Sequence, residues 1–198
     1  DRVGPLVMTV FFRTVLEAVL RDDLGPVFDT VHTAPATALL RILKQGGARD
    51  WCDVKSTVSV ETCPEVLERA FDQTINELET QLGPDDSKWN WGRVHIVSNE
   101  HQPFGKVDML AQFFNVERPA SGGAYALLRG KTDFGDSKPY QAVHGAGYRA
   151  IYDFADLDKS LFVTSTGQSG NVLSPHYDDQ ADMWTARKHL PTSTTAED

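Results

Sequence analysis

Apolar residues in the first half of the chain recur at steps of three and four, the spacing that places them on one face of a helix. The first run covers residues 4–20 and is predicted to end near Gly25-Pro26. A second apolar run, residues 36–43, is followed by Gly46-Gly47, which favours the end of a second helix there.

The third predicted helix carries the most complete local signals. Thr62 and Glu65 have the spacing of a capping box, and Pro64 is tolerated in the first turn of a helix. The helix is predicted to end before Gly83-Pro84. Its apolar stripe consists of Val66, Leu67, Ala70, Phe71, Ile75, Leu78 and Leu82.

The second half of the chain shows a different pattern. Short β-branched or aromatic runs bounded by turn residues predict strands at 93–97, 124–129, 148–154 and 160–166. Residues 108–114 predict one or two helical turns, and residues 178–189 predict a closing helix. A mainly helical segment, 1–86, followed by a β-rich segment, 87–198, predicts the α+β class.

Composition excludes several classes of function. A hydrophobic content of 40% over 198 residues is enough for a buried core. A formal charge of −9 argues against nucleic-acid binding, which needs clustered cations.

Residues 4–20 carry Arg13 and Glu17 and are short for a bilayer, so no membrane-spanning helix is predicted. Asp1-Arg2-Val3 does not begin a signal peptide, and we expect the chain to be a piece of a longer protein.

The two cysteines, Cys52 and Cys63, are separated by ten residues. No histidine lies between them to complete a zinc site, so metal binding is disfavoured. A disulfide is the favoured interpretation and two unpaired thiols are the alternative. The disulfide would indicate an oxidising compartment.

The segment 167–184 concentrates polar residues. Ser169 lies between Gly167 and Gly170, but the nucleophile elbow needs one more residue before its second glycine. A tight turn after the preceding strand, with Gln168 bonded to nearby backbone, is therefore favoured over a serine nucleophile.

The remaining polar residues form no complete catalytic set. His95, His101 and His144 lack the spacing of a helical zinc site and are interpreted as structural or solvent-facing. His176, Asp178 and Asp179 could be metal ligands or acid–base groups. Capping of the closing helix by an aspartate is the favoured alternative.

The motifs taken together resemble the C-terminal part of the β chain of the penicillin acylase family. These enzymes are N-terminal-nucleophile amidohydrolases that include penicillin, cephalosporin and acyl-homoserine-lactone acylases. The resemblance covers roughly residues 50–191, and its last two motifs are the most specific. The motifs occur in the family's order at 51–63, 87–95, 101–105, 121–123, 144–160 and 166–184.

The resemblance implies an αββα sandwich and a precursor cleaved into an α chain and a β chain. The first residue of the β chain is a serine whose hydroxyl attacks an amide carbonyl while its own α-amine acts as base. Backbone N–H groups and an asparagine bind the oxyanion. Family members carry these residues earlier in the β chain, so the resemblance implies no catalytic residue here. It implies no cofactor, and calcium, found in some relatives, would need ligands outside this chain.

The resemblance also implies structural roles for particular residues. Arg149, Gln168, His176 and Asp179 are expected to support the fold, with Arg149 paired to a carboxylate. Several relatives carry an acidic residue where Ala124 stands, and it helps to orient the active-site base. Asp133 or Asp136 is the expected substitute.

The resemblance therefore predicts a periplasmic or secreted amidohydrolase acting on a β-lactam side chain or an N-acyl-homoserine lactone. Its expected partners are the upstream acylase chains, that is, the α chain and the N-terminal part of the β chain, and a small-molecule amide. This chain alone is expected to be inactive. Two alternatives stay open: a non-catalytic acidic binding module, and a self-sufficient hydrolase that uses Ser169.

Overall fold

The structure is a computed structural model that describes residues 3–30, 36–45 and 51–192. The chain divides into two compact units. The helical unit comprises residues 1–93 and 133–140, and the sheet unit comprises residues 94–132 and 141–198. The predicted boundary at residue 86 within one larger acylase chain stays a prediction.

Three α-helices lie in the described part of the helical unit. Helix α1 spans Val3–Leu24 and continues as a 3-10 helix, Gly25–Thr30. Helix α2 spans Ala36–Gln45, and α3 spans Cys63–Leu82. The three predicted helices are confirmed. The predicted stop at Gly46-Gly47 lies outside the described residues.

Helices α1 and α3 pack against each other to form the core of the helical unit. Apolar side chains interleave along the contact because each helix presents one apolar face. Thr14 and Thr74 are the buried polar pair, and each hydroxyl donates to a carbonyl one turn earlier in its own helix. The core cluster contains Val15, Leu16, Val19, Leu20, Leu39, Cys52, Val66 and Ala70.

The stretch 3–30 is long and apolar enough to cross a membrane by length and composition. The prediction that length and charge exclude a membrane-spanning helix here was therefore wrong. Core helices and signal sequences satisfy the same criterion. In this structure Val15 and Val19 of α1 pack in one core with Val66 of α3, which is the arrangement of a core helix.

A disulfide joins Cys52 to Cys63 at the start of α3, with 5.0 Å between the two Cα atoms. Glu61 organises the loop that the disulfide closes. Its carboxylate accepts hydrogen bonds from the Val54 N–H (3.0 Å) and the Thr57 hydroxyl (2.9 Å). These bonds, the Val54 bond first, lower the pKa of Glu61. The disulfide prediction is confirmed.

The predicted capping box at the start of α3 is confirmed. Glu65 accepts a hydrogen bond from the backbone N–H of Thr62 at 2.8 Å. The bond occupies an N–H group that the first turn of a helix leaves without a partner.

Up to residue 192, the strands of the sheet unit form three small antiparallel sheets. One sheet pairs β1 with β2, with Val97 opposite Arg118. A second pairs β3 with β4, and a third has the order β5-β6-β7, with Arg149 opposite Val163. The strands are β1 Ile96–Asn99, β2 Val116–Pro119, β3 Gly130–Lys131, β4 His144–Gly145, β5 Tyr148–Ile151, β6 Leu161–Thr164 and β7 Leu190–Pro191.

Two short helices accompany these sheets. Helix α4 spans Asp108–Phe114, as predicted. Helix α5 spans Ala181–Thr185 and is shorter than the predicted 178–189. Within residues 51–192, four 3-10 turns lie at Asp86–Lys88, Trp91–Arg93, Phe104–Lys106 and Leu157–Lys159.

The strand predictions had mixed outcomes. Those at 148–154 and 160–166 are confirmed as the shorter β5 and β6, and the one at 93–97 is shifted to β1. The strand predicted at 124–129 was wrong. There the chain folds back, because the Gly123 N–H donates to the Leu128 carbonyl and the Gly130 N–H donates to the Gly123 carbonyl.

Gly122 makes this fold-back possible. Its φ is +97°, and a Cβ at this position would lie 1.9 Å from the Leu128 carbonyl oxygen. The combination of helices and small sheets agrees with the predicted α+β class.

We expect the disulfide to stabilise the helical unit. Replacing both cysteines by serine should lower the free energy of unfolding by about 3 kcal/mol, because a short closed loop restricts the unfolded chain. Urea unfolding of the oxidised protein, compared with the double variant, measures the difference. A reductant should lower the stability of the wild-type protein but not that of the double variant. Equal unfolding midpoints for the two proteins would contradict a structural role for the disulfide.

Candidate functional site

The segment 167–184 runs from the turn after β6 into α5 and folds tightly on itself. The Ser169 N–H donates to the His176 carbonyl at 3.0 Å. A Cβ on Gly167 would lie 2.0 Å from that carbonyl oxygen and 2.6 Å from Oδ1 of Asp179. Only glycine fits at position 167, because two stretches of backbone approach each other there.

Gln180 connects this segment to the sheet. Its side chain is 4% exposed, and Oε1 accepts hydrogen bonds from the Thr164 N–H (2.9 Å) and the Thr164 hydroxyl (3.2 Å). The Gln180 N–H donates to the Thr166 carbonyl. Gln180 is also the N-cap of α5 and makes no side-chain capping bond. The predicted aspartate cap was therefore wrong.

Trp184 of α5 and Arg149 of β5 form the second connection. The indole N–H of Trp184 donates to the Ala146 carbonyl at 2.9 Å. The guanidinium carbon of Arg149 lies 4.2 Å from the centre of the indole ring, a cation–π contact, and Nη2 donates to the Trp184 carbonyl. These contacts hold α5 against the sheet.

The predicted carboxylate partner of Arg149 is not found among the described residues. Its Nε is buried and has no hydrogen-bond partner there. Burial lowers the pKa of Arg149 because the charged form loses its hydration.

Arg118 of β2 forms the third connection. Its Nε lies 2.7 Å from Oδ1 of Asp182, and its Nη2 lies 2.9 Å from Oδ2 of Asp178. The bond to Asp182 is the largest of the contributions that raise the pKa of Arg118. The hydroxyl of Tyr177 donates to the Phe114 carbonyl at the end of α4. The segment is thus bonded to residues about 60 positions earlier in the chain.

Two of the other predicted support residues meet at the surface. Nδ1 of His176 lies 2.9 Å from Oδ2 of Asp179, and the His176 side chain is 69% exposed. The side chain of Gln168 is exposed. A polar contact between side chains this exposed to water contributes little to stability. The backbone of His176, which bonds Ser169 and abuts Gly167, is the more important part of that residue.

Ser169 is not placed for nucleophilic catalysis. Its Oγ accepts a hydrogen bond from the Asn171 N–H at 3.1 Å, a local turn contact. Within the described ranges, Ser169 Oγ makes no hydrogen bond to a histidine or carboxylate. No group of three His, Cys, Asp or Glu side chains suited to a metal occurs in the part of the chain that the structure describes.

The other histidines have structural or surface positions. His95 is fully buried, and a Cβ on Gly130 would lie 2.5 Å from its Nε2, so a glycine accommodates the ring. The His101 ring packs between Phe104 and Phe114. His144 lies exposed in β4.

The two aspartates proposed as substitutes at Ala124 serve turns in the helical unit. Asp133 accepts from the Gly135 N–H, and Asp136 accepts from the Lys138 N–H. The sheet unit therefore contains a segment bonded to its surroundings from three sides, without a nucleophile in contact with a base among the described residues.

The sequence model of the penicillin amidase family matches residues 1–198. The chain belongs to this family, as its motifs predicted. The acyl-homoserine lactone acylase QuiP of Pseudomonas syringae pv. syringae (strain B728a) is 28% identical over 189 residues, which is 88% of this chain and 22% of that protein.

Two further relatives agree. QuiP of Pseudomonas aeruginosa PAO1 is 24% identical over 202 residues, covering 91% of this chain and 23% of that protein. The penicillin acylase 2 proenzyme of Pseudomonas sp. (strain SE83) is 28% identical over 124 residues, covering 62% of this chain and 16% of the proenzyme. The chain spans about a fifth of the length of the relatives that it matches.

Gly167→Ala should destabilise the sheet unit by about 3 kcal/mol, because the added Cβ collides with the His176 carbonyl. Gly170→Ala is the matched control, since nothing lies within 4 Å of its added Cβ. Thermal unfolding of the two variants measures the difference. Equal destabilisation would show that the close approach at Gly167 is not important for the fold.

Ser169→Ala and His176→Ala should leave turnover per folded molecule of the full-length protein unchanged within about twofold. The Ser169 hydroxyl has no histidine or carboxylate partner among the described residues, and the exposed His176–Asp179 pair has no nucleophile bonded to it there. Any loss should occur in the yield of folded protein instead. Yield and turnover are measured separately, and a serine-directed covalent probe is tested on wild type and Ser169→Ala. Probe labelling that disappears in Ser169→Ala, or a large loss of turnover at normal yield, would identify Ser169 as a nucleophile.

Proposed function

We propose that this chain is the C-terminal portion of an acylase that hydrolyses an amide bond with an N-terminal serine nucleophile located outside these 198 residues. The observation that carries the proposal is the family match along the whole chain. The relatives named acyl-homoserine lactone acylase and penicillin acylase support the reaction class. A nucleophile elsewhere accords with the unreactive setting of Ser169.

The proposed reaction begins with attack of the serine hydroxyl on the amide carbonyl while the α-amine of the same serine takes its proton. Hydrogen-bond donors stabilise the negative charge that develops on the carbonyl oxygen. The protonated α-amine gives its proton to the leaving amine as the C–N bond breaks. Water then hydrolyses the acyl-enzyme ester, which releases the acid and restores the serine hydroxyl. The substrate is a β-lactam antibiotic side-chain amide or an N-acyl-homoserine lactone.

We assign a structural role to the described chain in this acylase. Its small sheets belong to the αββα sandwich, which the α chain and the N-terminal part of the β chain complete. Large apolar side chains around β5 are exposed, including Ile151, Phe154 and Leu157. Exposed apolar groups of this size favour a tight assembly with the remaining chains, and the described chain alone is inactive.

The disulfide supports a periplasmic or secreted location, because such bonds persist in oxidising compartments. The proposed reaction needs no cofactor. Any calcium bound by the whole enzyme would use ligands outside this chain.

Intact-protein mass spectrometry of the natively purified, full-length protein, with N-terminal sequencing of every chain, tests the proposal. We expect a co-purifying chain that begins with serine. Replacement of that serine by alanine should abolish hydrolysis of N-acyl-homoserine lactones and penicillins. Chromatography of the released acid measures the hydrolysis. A full-length protein that has no such chain and hydrolyses no amide would favour the acidic binding module instead.

A further inference from the structure

A small cavity lies in the sheet unit beside the Arg149–Trp184 contact. Its volume is about 40 Å³, which is room for about three water-sized groups. Val97, Leu128 and Trp184 form apolar parts of its wall.

The charged residues that line the cavity all carry basic side chains. They are Arg129 and Arg149, with His144 beside them, and the described lining contains no aspartate or glutamate. This distribution is unusual in a chain of formal charge −9. The lining therefore favours an anionic occupant.

Arg149 is the member of this group with unmet bonding capacity. Its Nη2 is used by the Trp184 carbonyl, and its Nε is buried without a partner among the described residues. Arg118 in the same unit shows the satisfied arrangement, with carboxylate oxygens on both Nε and Nη2. Arg149 is partly buried and has no carboxylate partner among the described residues, so a bound anion beside its guanidinium would stabilise the protein.

We propose that this cavity is a binding site for one carboxylate group, held by the guanidinium of Arg149 and approached along the basic wall. A carboxylate has three heavy atoms, which matches the size of the cavity, and it accepts bonds from the planar donors of arginine. Carbons attached to the carboxylate would extend out of the cavity along its apolar edge. The group belongs to a small free acid or to an acidic side chain elsewhere in the full-length protein. The inference does not depend on the proposed acylase activity, because binding is the readout.

Calorimetric titration of the full-length protein with sodium acetate and sodium butyrate, at constant ionic strength, tests the site. Arg149→Met should weaken binding by about tenfold or more, because it removes charge-assisted hydrogen bonds but keeps an apolar stem. Arg21→Met is the matched control. Arg21 also stacks on an aromatic ring, that of Phe28, but its guanidinium already has carboxylate partners in Glu17 and Asp29. It should leave the affinity unchanged.

A crystal structure of the full-length protein with and without acetate distinguishes the two sources. An acidic side chain within hydrogen-bond distance of the Arg149 guanidinium, together with no acetate binding, supports an internal carboxylate. Acetate at that position, with the Arg149-dependent affinity, supports a free acid. The proposal is overturned if no carboxylate lies at Arg149 and acetate affinity is equal in Arg149→Met and Arg21→Met. Acetate seen at crystal concentration only, without Arg149-dependent binding in solution, also overturns it.

Discussion

The sheet unit depends on the bonds between α5 and the strands beside it. Helix α5 has five residues, which is too few to be stable by itself. It persists because Gln180 at its start bonds to β6 and Trp184 near its end bonds to the Ala146 carbonyl and stacks with Arg149. The buried cluster of Ala120, Val163 and Trp184 forms on the same contact. Removal of this contact would expose both the helix and the inner face of the sheet.

The helical unit is held together differently. Its long helices α1 and α3 bury continuous apolar faces, and the irregular loop before α3 is stabilised by the disulfide and by Glu61. The segment 133–140 is bonded to the same two helices through the hydroxyl group of Tyr140. The Tyr140 hydroxyl donates to Glu77, which also pairs with Arg13. Burial, with the bond to Glu77, raises the pKa of Tyr140 well above its ordinary value, so the phenol remains a donor.

Local chemistry explains which parts of the structure could be predicted. The helices follow from periodicity and the capping box, since these signals lie within a few residues of each other. Strands β5 and β6 follow from β-branched runs. The run at 124–129 contains one aromatic residue and no β-branched residue, so its strand propensity is weaker. Gly122 and the hydrogen bonds across the fold-back outweigh that propensity. Composition alone does not reveal that the Gly123 N–H lies opposite the Leu128 carbonyl.

The candidate site shows the same limit at the level of single side chains. Arg149, His176 and Asp179 could be named from the sequence because they lie in recognisable motifs, and their role in supporting the fold stays a prediction. Arg118 carries no local signal and binds carboxylates 60 and 64 positions away. Gln180 was missed because a glutamine before a short helix looks like a surface residue, although here it is buried. Arg118 and Arg149 differ in their partners for the same reason. Both are partly buried arginines of the sheet unit, yet only Arg118 has carboxylate partners among the described residues, so the guanidinium of Arg149 is the one that can accept a further carboxylate.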